Sequence, residues 1–339
     1  MAKRHRRGRP VHGILLLDKP AGGSSNRALQ RAKRLFGAAK AGHTGSLDPL
    51  ATGMLPICFG EATKLSAFLL DADKGYETTI ALGVTTDSAD ADGDVLETRR
   101  IPAELDANSF QSVCQKFTGA QMQVPPMVSA IKIDGQRLYK LARQGKTVDR
   151  PPRPVTIHKL EVLSFSGNSA RLAVRCSKGT YIRSLVSDIG EAIGCGAHVT
   201  SLRRTFVAPF EQQPMILLDT LEKMLGQLPQ EPLAPTSAEH PDAVGTVPNN
   251  PDSSTMWPAL DALLLPVDAG LQHIQIVRLD KASETDFLNG NPAACTSNAD
   301  ADPENEKFCR VYNSDGRLVG LGELSGSRTV SPRRVLQWG

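Results

Sequence analysis

Apolar and polar residues alternate with a period of two along several short stretches of the chain, which is typical of strands that bury one face. In "SARLAVRCS" every second residue is small or apolar, and two of the intervening residues are arginines. "GILLLDK", "YETTIAL" and "VTIHKLEVL" also have the composition of strands. Near the end of the chain, "FCRVYNSDGRLVGLGEL" predicts two strands joined by an Asn-Ser-Asp-Gly turn.

Other stretches repeat their apolar residues at helical spacing. A helix is predicted at about 26–36, with Ser24 or Ser25 as its N-cap. One face of this helix is apolar, and the opposite face carries Arg27, Arg31 and Arg34. Further helices are predicted in "ANSFQSVCQKFTG", near 137–144 and in "IRSLVSDIGEAIG". Because helices and strands interleave irregularly, the predicted fold class is α+β, with a mixed, largely antiparallel central sheet flanked by helices.

Composition divides the chain into three parts. Residues 226–256 contain six prolines, no aromatic residue and many Ser, Asn and Asp residues. This composition is typical of a disordered segment. We therefore expect a large domain at 11–225, a proline-rich acidic linker or insert at 226–256, and a small β-rich domain at 257–339.

Charge is strongly segregated along the chain, although the formal net charge is only +3. Residues 1–70 carry 12 basic and 3 acidic side chains, and residues 116–160 carry 9 and 2. Acidic blocks at 71–115 and 231–306 offset them. One interpretation is that the two basic blocks fold onto one face that attracts a polyanion. The other is ordinary solvated surface charge.

Several classes of protein are disfavoured by the sequence. No two of the six cysteines form a C-x-x-C pair, so neither a zinc site nor a disulfide framework is expected, and reduced thiols fit a cytoplasmic protein. No run of eighteen apolar residues is present to span a membrane. The basic N-terminus is not followed by an apolar segment of signal-peptide length.

The stretch "GHTGSLDPLATG" contains a lone carboxylate, Asp48, framed by glycines. A carboxylate there could be a nucleophile, a general base, a metal ligand or the cap of a turn. Metal binding is the weakest of these, because Asp48 and His43 have no third ligand nearby in the sequence. A turn aspartate before proline is the more common case. The glycines weaken that interpretation, because they let the backbone bend and leave room for a large molecule to approach a functional loop.

Five stretches occurring in this order closely resemble the TruB family of tRNA pseudouridine-55 synthases. They are "GILLLDKPAGGSSN", "KAGHTGSLDPLATGMLPICFGEATK", "YETTIALGVTTDSADADGDV", "VPPMVSAIKIDGQRLYKLARQG" and "CSKGTYIRSLVSDIGEAIGCGAHVTSLRR". The resemblance covers about 11–220 and is weaker over 257–273 and 307–336. It implies a pseudouridine synthase fold followed by a PUA-like, β-rich RNA-binding domain.

The resemblance also implies an isomerase that detaches uracil from its ribose and reattaches it through carbon. Such a reaction needs neither a cofactor nor a metal. The family's catalytic aspartate maps onto Asp48, which we take as the nucleophile. Covalent attack at the sugar and proton abstraction from the sugar are both roles considered for it, and each demands an ionised carboxylate.

The remaining site residues are carried over from the same motifs. Arg183 resembles the arginine that forms an ion pair with the catalytic aspartate. Tyr76 is expected to stack on the flipped base, and Tyr181 and Leu202 are expected to contact it. His43 is expected to pack where the base has left the RNA. Lys64 is expected near the active-site loop or the RNA backbone.

The implied partner is the T arm of tRNA, gripped through phosphates by basic side chains. In the family, an insertion at about 124–153 closes over the RNA. The basic end of the small domain, with Arg328, Arg333 and Arg334, is compatible with RNA contact. We expect a cytoplasmic monomer with no membrane association and no obligate protein partner. The alternatives are a guide-RNA-dependent synthase of the dyskerin type and a tRNA-folding clamp.

Overall fold

The computed structural model describes residues 8–129, 131–133, 135–138, 141, 144–146, 148–226, 253–296, 308–325 and 328–338. Most of the predicted linker at 226–256 and half of the helix predicted near 137–144 lie outside the described residues. No described helix is both long and apolar enough to cross a membrane.

Strands and helices interleave irregularly along the described chain. The strands are β1 (Gly13–Lys19), β2 (Ala41–His43), β3 (Thr52–Phe59), β4 (Lys74–Leu82), β5 (Val84–Thr86), β6 (Val95–Thr98), β7 (Gly119–Gln123), β8 (Lys132–Ile133), β9 (Gln136–Arg137), β10 (Arg153–Phe165), β11 (Ser169–Cys176), β12 (Ala197–Val207), β13 (Ile216–Leu217), β14 (Ile276–Arg278), β15 (Ala293–Ala294), β16 (Phe308–Tyr312), β17 (Leu318–Ser325) and β18 (Thr329–Val335). The helices are α1 (Ser25–Leu35), α2 (Ser66–Asp71), α3 (Ala107–Gln115), α4 (Ile182–Ile193), α5 (Leu218–Gly226), α6 (Ser253–Asp261) and α7 (Lys281–Leu288).

A nine-stranded sheet forms the centre of the large domain. Its order is β13-β1-β3-β12-β4-β11-β10-β7, and β2 also pairs with β3. Between described residues, the pairings β1–β13 and β12–β3 are parallel, and the others in this sheet are antiparallel. The predicted α+β class with a mixed, largely antiparallel sheet is therefore confirmed.

The two serines before α1 have different tasks. Ser24 is the N-cap, because its side chain accepts the N–H of Arg27 at 3.1 Å. The hydroxyl of Ser25 instead accepts the N–H of Leu47 at 2.7 Å and donates to the Leu47 carbonyl at 3.1 Å. The predicted helix is confirmed, and its first residue also holds the loop that leads to Asp48.

The alternation in β11 has its expected consequence. Ala170, Leu172, Val174 and Cys176 are buried, whereas the residues between them are exposed or half-buried. Helices α3 and α4 supply apolar residues to the same core cluster, including Phe110, Leu185 and Ile189. This cluster lies beside the start of α4 and so fixes the helix that carries Arg183.

The small sheet has the order β14-β16-β17-β18-β15, and β16 and β17 confirm the predicted pair of strands. It has a core of its own, which includes Phe287 and Val311. A separate cluster joins this sheet to the large domain. Leu260 of α6 packs in the cluster that contains α1 residues. The domain boundary at 257 stays a prediction.

Replacing Gly53 by alanine should destabilise the sheet where β3 meets β12. Gly53 has a φ of +100°, and a Cβ atom there would lie 2.1 Å from the backbone oxygen of Arg204. The strained φ and the contact with rigid backbone should together lower the melting temperature. Gly22→Ala is the matched control, since its φ is +79° but no atom lies within 4 Å of the added Cβ. Equal melting temperatures for the two variants would contradict the steric argument.

Candidate active site

Asp48 lies in the loop between β2 and β3, where the N–H of Ala51 closes a turn on the Asp48 carbonyl at 3.1 Å. Lys19, at the end of β1, is buried beneath this turn. Its ammonium group donates to the carbonyls of Ala51 at 2.7 Å and Pro49 at 3.3 Å. Burial lowers the pKa of Lys19 to about 8, and the charge of Asp48 opposes that change. Lys19 thus fixes the backbone of the loop that carries the Asp48 carboxylate.

Arg204 holds the other side of this loop. Its side chain is fully buried. Nε donates to the carbonyl of Met54 at 2.6 Å, and Nη2 donates to the carbonyl of Gly45 at 3.1 Å. Because both acceptors are backbone atoms, Arg204 fixes the path of the chain before and after Asp48.

Arg183 forms an ion pair with Asp48. Nη2 donates to Oδ1 at 3.0 Å, and Nε lies 2.9 Å from Oδ2. The N–H of Nε is not directed at that oxygen, and Nε has no hydrogen-bond acceptor among the described residues. The Arg183 side chain is 2% exposed, whereas that of Asp48 is 35% exposed. The buried guanidinium therefore holds a carboxylate that solvent, or a substrate, can reach.

The rest of the Arg183 guanidinium is also occupied. Nη1 donates to the carbonyl of Ser88 at 2.8 Å, and Nη2 donates to the carbonyl of Val128 at 2.7 Å. Nη1 lies 3.5 Å from Oδ2 of Asp90, a buried carboxylate in the turn after β5. The hydroxyl of Ser88 donates to Asp90 at 2.5 Å. Arg183 is therefore placed between two carboxylates.

The surroundings of Asp48 act on its pKa in opposite directions. Burial raises the pKa of Asp48 above its ordinary value, and the like charge of Asp90 adds to the rise. Arg183 and Lys19 lower it, but the net shift is upward. Pairing with Arg183 thus stabilises the ionised carboxylate of Asp48, while burial disfavours it.

The two tyrosines of the predicted site lie near Asp48. Tyr76 is half-buried on β4 opposite Arg204 of β12. Tyr181 is the residue immediately before α4. Burial raises the phenol pKa of both tyrosines, and the charge of Asp48 acts in the same direction. Leu202 is buried in the apolar cluster that includes Leu47 of the Asp48 loop and contacts Tyr76. The structure therefore brings Tyr76, Tyr181 and Arg183 close to Asp48, whereas Leu202 shares an apolar cluster with Leu47 of the same loop.

His43 lies on β2 opposite Ile57 and is half-buried. Burial lowers its pKa, and the charge of Arg204 adds to the lowering. Its Nδ1 is buried and has no hydrogen-bond partner among the described residues. A neutral imidazole is therefore favoured, and its contact with RNA stays a prediction.

Lys64 has its partners elsewhere. Its ammonium group donates to the carbonyl of Val335 on β18 at 2.9 Å and lies 2.5 Å from Oε2 of Glu61. It thus links the large domain to the small sheet. The expected contact with the active-site loop or the RNA backbone stays a prediction.

Parts of the predicted basic surface are neutralised by ion pairs. Arg31 of the α1 stripe is paired with Glu222 of α5, whereas Arg27 and Arg34 are exposed. Arg333 donates through Nε to Glu323 at 2.7 Å. In the segment 124–153, Arg150 donates to a backbone carbonyl, that of Pro125, at 3.0 Å.

Sequence reasoning missed three charged residues of this site: Lys19, Asp90 and Arg204. All three lie inside the quoted motifs, but their role depends on burial that the sequence pattern does not reveal. A charged residue in a buried strand, as in "GILLLDK", was the available signal for Lys19. Among the described residues, no group of three or more His, Cys, Asp or Glu side chains is placed to hold a metal ion.

Comparison with protein families and known proteins gives matches over nearly the whole chain. Residues 33–182 match the TruB family pseudouridylate synthase (N terminal domain). Residues 183–272 match the tRNA pseudouridylate synthase B C-terminal domain, and residues 276–336 match pseudouridine synthase II TruB, C-terminal.

Relatives and solved structures agree with these matches. tRNA pseudouridine synthase B of Stutzerimonas stutzeri (strain A1501) is 48% identical over 339 residues, and that of Pseudomonas fluorescens (strain Pf0-1) is 47% identical, each alignment covering 99% of both chains. A chain in the "Crystal Structure of a Cbf5-Nop10-Gar1 Complex" aligns with a TM-score of 0.66 and 23% identity, covering 99% of this chain and 91% of that chain. That likeness shows a shared fold. The full-length identity to these relatives shows that the chain belongs to the TruB family of pseudouridylate synthases.

Proposed function

We propose that this enzyme converts uridine-55 in the T loop of tRNA to pseudouridine, with Asp48 as the nucleophile. The observation that carries the proposal is the Asp48–Arg183 pair, in which a buried guanidinium directs a partly accessible carboxylate. An adjacent guanidinium favours the ionised carboxylate and fixes its orientation. The relatives named as tRNA pseudouridine synthase B support tRNA as the substrate.

The reaction rearranges one nucleotide without an oxidant or a reductant. The bond between N1 of uracil and C1′ of ribose breaks, and a bond between C5 and C1′ forms. The proton on C5 leaves to solvent, and N1 gains a proton. Because the base must leave the RNA stack, the site has to receive a flipped nucleotide.

The side chains around Asp48 suit that nucleotide. Tyr76 offers an aromatic ring for stacking, which is worth roughly 1–3 kcal/mol per base in nucleic-acid complexes. Tyr181 and Leu202 would line the uracil pocket beside it. Arg27 and Arg34 would bind phosphates of the T arm. The monomeric state, the cytoplasmic location and the linker role of 226–256 stay predictions.

Site mapping on a defined RNA tests this function. Purified protein is incubated with an unmodified tRNA transcript as the only RNA and without any other protein. Pseudouridine is then mapped by chemical modification and primer extension. We expect modification at position 55 only, and none in a transcript that carries cytidine there. Modification that requires a second RNA would favour the guide-dependent alternative. Tight tRNA binding without modification would favour the folding clamp.

The raised pKa of Asp48 determines how kcat should depend on pH. Only the ionised carboxylate can act, so kcat should be full above the Asp48 pKa and fall as the pH drops through it. Asp90→Asn removes the like charge that helps to raise this pKa. The acid limb of the kcat–pH profile should therefore move to lower pH in Asp90→Asn, as measured by single-turnover rates. A shift to higher pH would contradict the assigned electrostatics.

A further inference from the structure

Gln123 ends the edge strand β7, and its side chain is almost completely buried at 2% exposure. Both ends of its amide bind the backbone of one residue, Tyr181. Oε1 accepts the Tyr181 N–H at 2.8 Å, and Nε2 donates to the Tyr181 carbonyl at 3.1 Å. A buried amide with both groups satisfied fixes its partner tightly, because breaking either bond would leave a buried polar group unpaired.

The partner of Gln123 is the residue from which α4 starts. Tyr181 has extended backbone angles, and its side chain forms no capping hydrogen bond with the helix. Its carbonyl accepts the first helical hydrogen bond, from the Leu185 N–H at 3.1 Å. The Gln123 amide therefore holds the residue at the helix start through that residue's own N–H and carbonyl, whereas a side-chain cap would bond the free N–H groups of the first turn.

Two further bonds tie the same helix start to the segment that follows β7. The hydroxyl of Ser184 donates to the Val124 carbonyl at 2.9 Å, and Arg183 donates to the Val128 carbonyl at 2.7 Å. Arg183, two residues after Tyr181, is the side chain that pairs with Asp48. The position of the helix start thus determines where this guanidinium lies.

We propose that Gln123 is a positioning residue of the enzyme. By fixing the Tyr181 backbone to the edge of the sheet, it sets the start of α4 and directs Arg183 at Asp48. The expected loss of activity rests on the proposed function, whereas the expected change in the Asp48 pKa does not. Without Gln123, Arg183 would lose its alignment and lower the pKa of Asp48 less strongly.

The test compares Gln123→Met with Gln121→Met. Methionine keeps the length of the side chain and removes its hydrogen-bonding groups. Gln121 lies on the same strand but donates to the Phe117 carbonyl at 2.7 Å, which is not part of α4. We expect kcat on tRNA to fall roughly ten- to hundredfold in Gln123→Met, since small misplacements of catalytic groups cost about that much. The KM of Gln123→Met and both kinetic constants of Gln121→Met should stay near wild type. All assays are run below the melting temperatures of the three proteins.

A second readout does not depend on activity. The carboxyl resonance of Asp48, followed by NMR titration, should show a higher pKa in Gln123→Met than in wild type or Gln121→Met. The charged groups that face this carboxyl are Arg183, Asp90 and Lys19, and of these only Arg183 is held by the proposed device. An unchanged Asp48 titration together with wild-type kcat would overturn the inference. Absence of pseudouridine with the wild-type protein would instead overturn the proposed function, and the titration would still decide the role of Gln123.

Discussion

Asp48→Asn should abolish pseudouridine formation, with kcat reduced by more than about 10³-fold, as is usual when a nucleophile is removed. Asparagine has the same shape, and its oxygen can still accept the Nη2–H of Arg183, so the loop should keep its conformation. It has no negative charge with which to attack the sugar. Affinity for tRNA should remain close to wild type, because the substitution removes no cation that could bind phosphate.

Asp18→Asn is the matched control for this variant. Asp18 of β1 also pairs with an arginine, Arg203 of β12, at 2.7 and 3.0 Å, and this pair spans the intervening strand β3. Its kcat should be that of wild type. Turnover and equilibrium tRNA binding are measured for all three proteins. If Asp48→Asn lost binding and turnover together, Asp48 would be a structural residue and the nucleophile assignment would be wrong.

Arg183→Ala should have the second largest effect, on both rate and stability. The substitution leaves the buried Asp90 without its cation and removes the partner that orients Asp48. Breaking a buried pair by removing one member costs about 3–5 kcal/mol of unfolding free energy. We expect kcat to fall by roughly 10²-fold through misalignment of the carboxylate. Because Arg183 opposes the rise in the Asp48 pKa, the acid limb of the rate profile should also move to higher pH.

A second buried pair in the same chain separates these two effects. Arg310 of β16 donates to Asp268 at 2.8 Å, and both side chains are buried. Arg310→Ala should destabilise the protein to a similar degree and leave kcat and its pH profile unchanged. Equal losses of kcat in the two arginine variants, at temperatures where both are folded, would show that Arg183 acts only through stability.

The parts of the fold that could be predicted are those set by local patterns. The cap at Ser24 and the alternation in β11 depend on nearby residues, so the helix and strand were found with their buried faces. The pairing of Asp48 with Arg183 joins residues 135 positions apart. No spacing in the sequence predicts that ion pair, and only the family resemblance suggested it.

The remaining details depend on three-dimensional neighbours that a sequence pattern does not specify. Arg31 has the helical spacing of an exposed stripe, but Glu222 from α5 pairs with it. Lys64 follows a loop motif, yet its ammonium group lies against β18 of the small sheet. Asp90 is one of several aspartates in an acidic turn, and Gln123 is one of three glutamines in a short segment. Only their burial shows which of these residues has a structural partner.

Release of tritium from tRNA labelled at carbon 5 of uridine tests the central claim most directly. The measurement compares wild type, Asp48→Asn and Asp18→Asn in buffer without added metal or cofactor. We predict release by wild type and Asp18→Asn, with a final amount equal to the uridine at position 55, and none by Asp48→Asn. Release by Asp48→Asn at the wild-type rate, or no release by any of the three, would contradict an isomerase that works through this carboxylate.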